Sequence, residues 1–102
     1  MADLATLIGY RRLTVSTSVV DLTDAADPSS GGAAAIPAGA RYCTIKVTGY
    51  PCNVRVDGTD PTSSIGFPLA VGDILEEVTR NTNIEFIRSA ASDSVLEILW
   101  WA

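Results

Sequence analysis

The sequence predicts an all-β protein: a small antiparallel β-sandwich, jelly-roll or Ig-like, of about seven strands with a short N-terminal arm. Three observations carry this. The chain has 102 residues, the length of one domain. Apolar and polar residues alternate at period two in several runs. Clusters of Gly, Pro, Asn, Asp and Ser separate those runs.

Taken in order, residues 1–9 are expected to form an arm beside a single sandwich domain, residues 10–102. Asp3 can cap a helical turn, Leu4, Leu7 and Ile8 follow at helical spacing, and Gly9 can stop it. So short a helix is marginal unless it docks on something. Either it serves assembly, or it packs back on its own sandwich. Tyr10–Ser16 and Ser18–Leu22 read as strands. Residues 23–35, TDAADPSSGGAAA, read as a loop of about a dozen residues, long for a compact domain. Ile36-Pro37-Ala38-Gly39 leads into the strand Tyr42–Thr48. There Cys43, Ile45 and Val47 share one face, and Tyr42, Thr44, Lys46 and Thr48 the other. Gly49-Tyr50-Pro51 is a break. Cys52–Asp57 alternates again, with Cys52, Val54 and Val56 together. Asp57–Ser64 is dense in turn formers. Ile65–Val71 is apolar but interrupted by Gly66 and Pro68, so it reads as irregular or as an edge. Asp73–Val78, Ile84–Arg88 and Ser94–Trp101 complete the strands.

A hairpin turning at residues 48–51 would set Val47 opposite Cys52, Ile45 opposite Val54 and Cys43 opposite Val56, all apolar. Cys43 would then lie four residues from Cys52's partner, roughly 13 Å at strand rise. A disulfide needs Cα atoms within about 7 Å. Two buried, reduced thiols are therefore expected, which suits a reducing cytoplasm.

Composition narrows the function. Hydrophobic residues are 47% and charged residues 19%, which excludes a disordered chain and leaves few charges to coat a free surface. Twelve acidic residues against seven basic give a net charge of −5, and the only lysine is Lys46. Nucleic acid and anionic membranes should repel such a chain, so neither is expected as a partner. No apolar run reaches the roughly 18 residues of a membrane span. The start, MADLATLIGYRR, lacks the pattern of a secretory leader.

There is no histidine, hence no Ser-His or Cys-His nucleophile and no imidazole metal site. The spacing of Cys43 and Cys52 matches no zinc pattern. Asp57 and Asp60 flank Gly58-Thr59 without the alternating ligands of a calcium loop, and read as a turn bonding its own backbone. Glu76-Glu77 and Glu85/Glu97 could suggest a glycosidase pair, but read better as solvated strand residues. Trp100 and Trp101 must face opposite sides of a strand. One belongs to the core with Leu96 and Ile98; the other is covered by a second sheet or exposed as an anchor. No catalytic, metal or cofactor residue is assigned. The residues expected at an interface are Leu4, Leu7, Ile8, Tyr10, Tyr50 and Trp101.

Several segments then stand together: Ile36-Pro37-Ala38-Gly39-Ala40-Arg41, the run Asn53-Val54-Arg55-Val56-Asp57-Gly58-Thr59-Asp60-Pro61-Thr62, then Gly66, Pro68-Leu69 and Val71-Gly72-Asp73. This pattern, over roughly residues 36–101, resembles small virion structural proteins of tailed bacteriophages. The resemblance implies a β-sandwich that works by assembly. The first expectation is a capsid cement or decoration protein on the outer shell. It would be a homo-oligomer, in first place a trimer, clamping the major capsid protein through patches of about 800 Å² per partner. The localisation would be the virion, assembled in the host bacterial cytoplasm. A neck, tail or fibre-base component is the alternative, and a carbohydrate-binding module using Trp101 or Tyr50 a further one. An enzyme is not expected.

Overall fold

The computed structural model describes residues 6–27, 32–33, 36–78 and 84–102. The strands in chain order are β1 (Leu7–Val15), β2 (Val20–Asp21), β3 (Ala26–Asp27), β4 (Gly32–Ala33), β5 (Tyr42–Thr48), β6 (Cys52–Arg55), β7 (Phe67–Leu69), β8 (Ile74–Val78), β9 (Glu85–Arg88) and β10 (Ser94–Trp101). They form two antiparallel sheets. One has six strands in the order β4-β3-β1-β10-β5-β8, the other four in the order β2-β9-β6-β7. The protein is a small β-sandwich, as the alternation predicts. All seven expected strands are present. The two-residue strands β3 and β4 extend the larger sheet from within the expected loop, and β7 is an edge strand.

Strand β10 is the spine of the larger sheet. It carries no Gly or Pro and pairs along its length with β1 on one side and β5 on the other. Its inward residues Leu96, Ile98 and Trp100 are fully buried. They meet Leu13, Val15, Ile45 and Val47 from the same sheet and Val54, Leu69, Ile84 and Phe86 from around the other. Each such side chain contributes about 1.5–3 kcal/mol on burial, so this one core accounts for the fold.

Three expectations need correction. The arm is not helical where it is described. Leu7, Ile8 and Gly9 belong to β1, with a bulge between Leu7 and Gly9, so the sheet begins three residues before Tyr10. Leu4 lies outside the described residues. The strand wins over a short helix because β10 offers a complete ladder, continued where Thr6 N–H donates to Ala102 O at 3.2 Å and Ala102 N–H to Thr6 O at 2.8 Å. Ile8 packs on the core of its own sandwich, whereas Leu7 stays exposed. Gly9 is not a helix stop. It lies opposite Trp100, where a Cβ would stand 3.1 Å from Pro37 Cγ and 3.5 Å from Trp100 Cδ1.

The β5–β6 hairpin does not form either. β5 pairs with β10 and β8, while β6 pairs with β7 and β9 in the other sheet. Residues 49–51 carry the chain across the sandwich, helped by Gly49 at φ +75° and by Pro51, which has no N–H to give a ladder. The faces are as expected, since Cys43, Ile45, Val47, Cys52 and Val54 are all buried. They oppose one another between sheets rather than within one. Val56, expected in the core, lies past the end of β6 and is exposed.

The cysteines are both buried and not joined in a disulfide, as expected, though through a different geometry. Burial pushes the Cys52 thiol pKa up, with the Ser94 side chain pulling partly back. Among the described residues, no helix is long and apolar enough to cross a membrane.

Candidate functional site

The outer face of the six-stranded sheet gathers part of the expected interface. Val95, Glu97, Leu99 and Trp101 of β10 point away from the core, by parity with the buried residues between them. Cross-strand pairing places Leu7 and Tyr42 on either side of Trp101, and Tyr10 and Thr44 on either side of Leu99. Leu7, Tyr10 and Tyr42 are exposed, and Trp101 and Leu99 half-buried. Among the described residues, no second sheet covers Trp101. Its indole N–H donates to Thr44 Oγ1 at 3.1 Å, laying the ring toward β5. The Arg41 guanidinium stacks over Tyr42, 5.7 Å from the ring centre.

The polar groups hold this face in shape. Glu97 accepts from Arg12 Nε at 3.0 Å and from the Tyr10 hydroxyl. The hydrogen bond to Glu97 raises the Tyr10 phenol above its ordinary pKa. Tyr10 is thereby tethered rather than free to fold away.

Two expected residues stand apart. Tyr50 is exposed in the crossing between β5 and β6, two residues after Thr48, which pairs with Val95 at the end of β10 remote from Trp101. Ile8 is turned inward. Tyr42 is not among the residues expected at an interface, because its strand shows polar neighbours on that face. Its signal was position: an aromatic among Thr44, Lys46 and Thr48.

A second feature lies where the two sheets part, between the edge strands β7 and β8. It is a cleft of about 460 Å³ lined by Val54, Arg55, Val56, Asp57, Gly66, Phe67 and Leu75. Gly66 lets the chain pass close to β6: at φ +151°, a Cβ there would stand 2.9 Å from Asn53 Cβ. Asn53 Nδ2 ties the same loop down by donating to Thr62 O at 2.9 Å. Asp57 accepts from Arg55 Nε at 3.1 Å and Nη2 at 2.5 Å, and from Thr59 N–H at 3.1 Å. This clamp takes its pKa from an ordinary 3.8 to about 2. The turn reading of Asp57 thus fits, its oxygens being spent on Arg55 and its own backbone.

Glu85 lies between Asp21 and Arg55 in the four-stranded sheet. Asp60 chiefly, then burial, Asp21 and Asp57, raise its pKa. Glu97 lies on the outer face of the other sheet, so the two glutamates flank no common cleft. Among the described residues, no three His, Cys, Asp or Glu side chains gather as a metal site. Comparison with protein-family models, with curated proteins and with solved structures finds no match.

Proposed function

We propose that the chain is a structural protein of a tailed-phage virion, in first place a cement or decoration protein that assembles as a trimer on the outer capsid shell. One observation carries it: the outer face of the larger sheet presents Leu7, Tyr10, Leu99, Tyr42 and Trp101 as one neighbouring set. Tyrosine and tryptophan are the residues that anchor protein interfaces, and this set is rimmed by the Arg12–Glu97 pair. The resemblance of residues 36–101 directs the reading to virions, and the negative net charge suits an outer surface rather than a DNA-lined one. Catalysis forms no part of this reading.

The test is sedimentation of the purified protein, alone and with capsid shells that lack it. A trimer that pellets with shells is expected, with attachment lost in Leu7→Asp and Tyr42→Asp, whose exposed positions leave the core intact. Binding to tails instead would move it to the neck, tail or fibre-base alternative. Three aromatics on one face, Tyr10, Tyr42 and Trp101, also favour a sugar platform as a second reading. A monomer that ignores virion parts and binds a glycan array would replace assembly with that reading.

A further inference from the structure

The edge between β7 and β8 is a different surface, and it goes beyond the virion reading. Among the described residues, nine large apolar side chains stay exposed, and five of them (Val56, Ile65, Phe67, Val71 and Ile74) fall within residues 56–74. Phe67 is 68% exposed at the mouth of the cleft. We infer that this edge receives an extended segment of another protein, which adds a strand to β8 and sets an apolar side chain into the cleft between Phe67 and Leu75, with basic side chains over Glu76.

The backbone selects β8. Among the described residues, it ends the six-stranded sheet and its ladder is used on the β5 side only. An open edge is a template for another strand. β7 is the poorer template, because Pro68 removes a donor from a strand of three residues. Along β8 the side chains alternate, with Leu75 inward at the cleft and Ile74 and Glu76 outward. An added strand therefore has one face over the cleft and one beside Ile74 and Glu76.

Charge selects the occupant. A second copy pairing β8 against β8 about Glu76 would set Glu76 against Glu76, an unfavourable cross-strand pair. Both copies would also carry −5. Of the outward residues of β8, Ile74 and Glu76, it is Glu76 that carries a charge, and at the cleft Asp57 is already held by Arg55. The complement is a strand that alternates apolar and cationic side chains.

The probe is a fluorescent peptide of about ten residues alternating valine and lysine, the length of a long strand, read by anisotropy against the whole protein. Its partner probe alternates valine and glutamate. The valine–lysine peptide should bind about tenfold or more tightly than the valine–glutamate one. Glu76→Lys, at an exposed site, should shrink or reverse that preference. Phe67→Ala should weaken the valine–lysine peptide by about tenfold while circular dichroism stays unchanged. Equal binding of both peptides, or affinity indifferent to both substitutions, would overturn the proposal. So would concentration-dependent dimerisation that Phe67→Ala abolishes, since the occupant would then be a second copy.

Discussion

Cys43 and Cys52 face one core from opposite sheets, Cys43 on β5 and Cys52 on β6, and no disulfide joins them. Each is sheltered from solvent, and burial holds the Cys52 thiol in its unreactive protonated form. Alkylation without reductant should therefore add two labels in denaturant and none to the folded protein over the same time. Intact mass reads both. Zero labels in denaturant would mean an oxidised pair.

Ile8 and Leu7 should part company on substitution. Ile8 packs on the core, so Ile8→Ala should cost about 1–2 kcal/mol, less than the 2–5 of a fully buried site. Leu7→Ala should stay within about 0.5 kcal/mol, because Leu7 is exposed. Urea unfolding separates them. Deleting residues 1–8 should lower the melting temperature, since it removes the Ile8 contact and the Thr6–Ala102 bonds.

Core and face should differ in the same way. Ile45→Ala should cost about 2–5 kcal/mol, a large share of the roughly 5–15 kcal/mol that holds a domain together. Tyr42→Ala, one strand position from buried Cys43 but outward and exposed, should cost about 0.5 kcal/mol or less. Equal costs would mean that the face is covered in the free protein.

Gly66→Ala should destabilise more than Gly39→Ala. Both positions have positive φ, but a Cβ at Gly39 meets nothing within 4 Å, whereas one at Gly66 meets Asn53 Cβ at 2.9 Å. The left-handed penalty alone is about 1–2 kcal/mol, and the contact adds to it at Gly66 only. Thermal melts should place Gly66→Ala lower.

Two carboxylates should pull the pH profile in opposite directions. Asp57 has a depressed pKa in the folded state. Its contribution is present above the ordinary 3.8 and lost as pH falls toward about 2. Asp57→Asn should remove that acid-side loss. Glu85 has a raised pKa, so the folded state holds its proton more tightly than the unfolded chain. Stability from this group is greatest below the ordinary 4.5 and declines as pH rises through the folded value. Glu85→Gln should therefore stabilise near neutrality and change little in acid. Melting temperatures across pH, with carboxyl titration by NMR, check both signs.

The seven main strands and their buried faces were legible in the sequence, because side chains in a strand alternate sides whatever lies next to it. So was the division of Trp100 from Trp101, whereas the reduced thiols agree with an expectation whose hairpin register does not form. What the alternation could not carry was neighbourhood. Val47 beside Cys52 in one sheet, and Val47 facing Cys52's sheet across a core, satisfy the same pattern of apolar residues. Only the packing of β10 between β1 and β5 decides between them.

The first nine residues make the same point. Leu4, Leu7 and Ile8 fit a helical stripe, yet Leu7 and Ile8 join a strand, since short-range spacing is weaker than a ladder along β10. The candidate surfaces needed the tertiary structure most. Tyr42 joins Trp101 and Leu7 through pairing between strands far apart in the chain. Phe67 and Leu75 line one cleft from two different sheets, a neighbourhood that exists only once both have folded onto one core. Local sequence determined which side of each strand was dry; long-range pairing determined which dry and wet residues became neighbours.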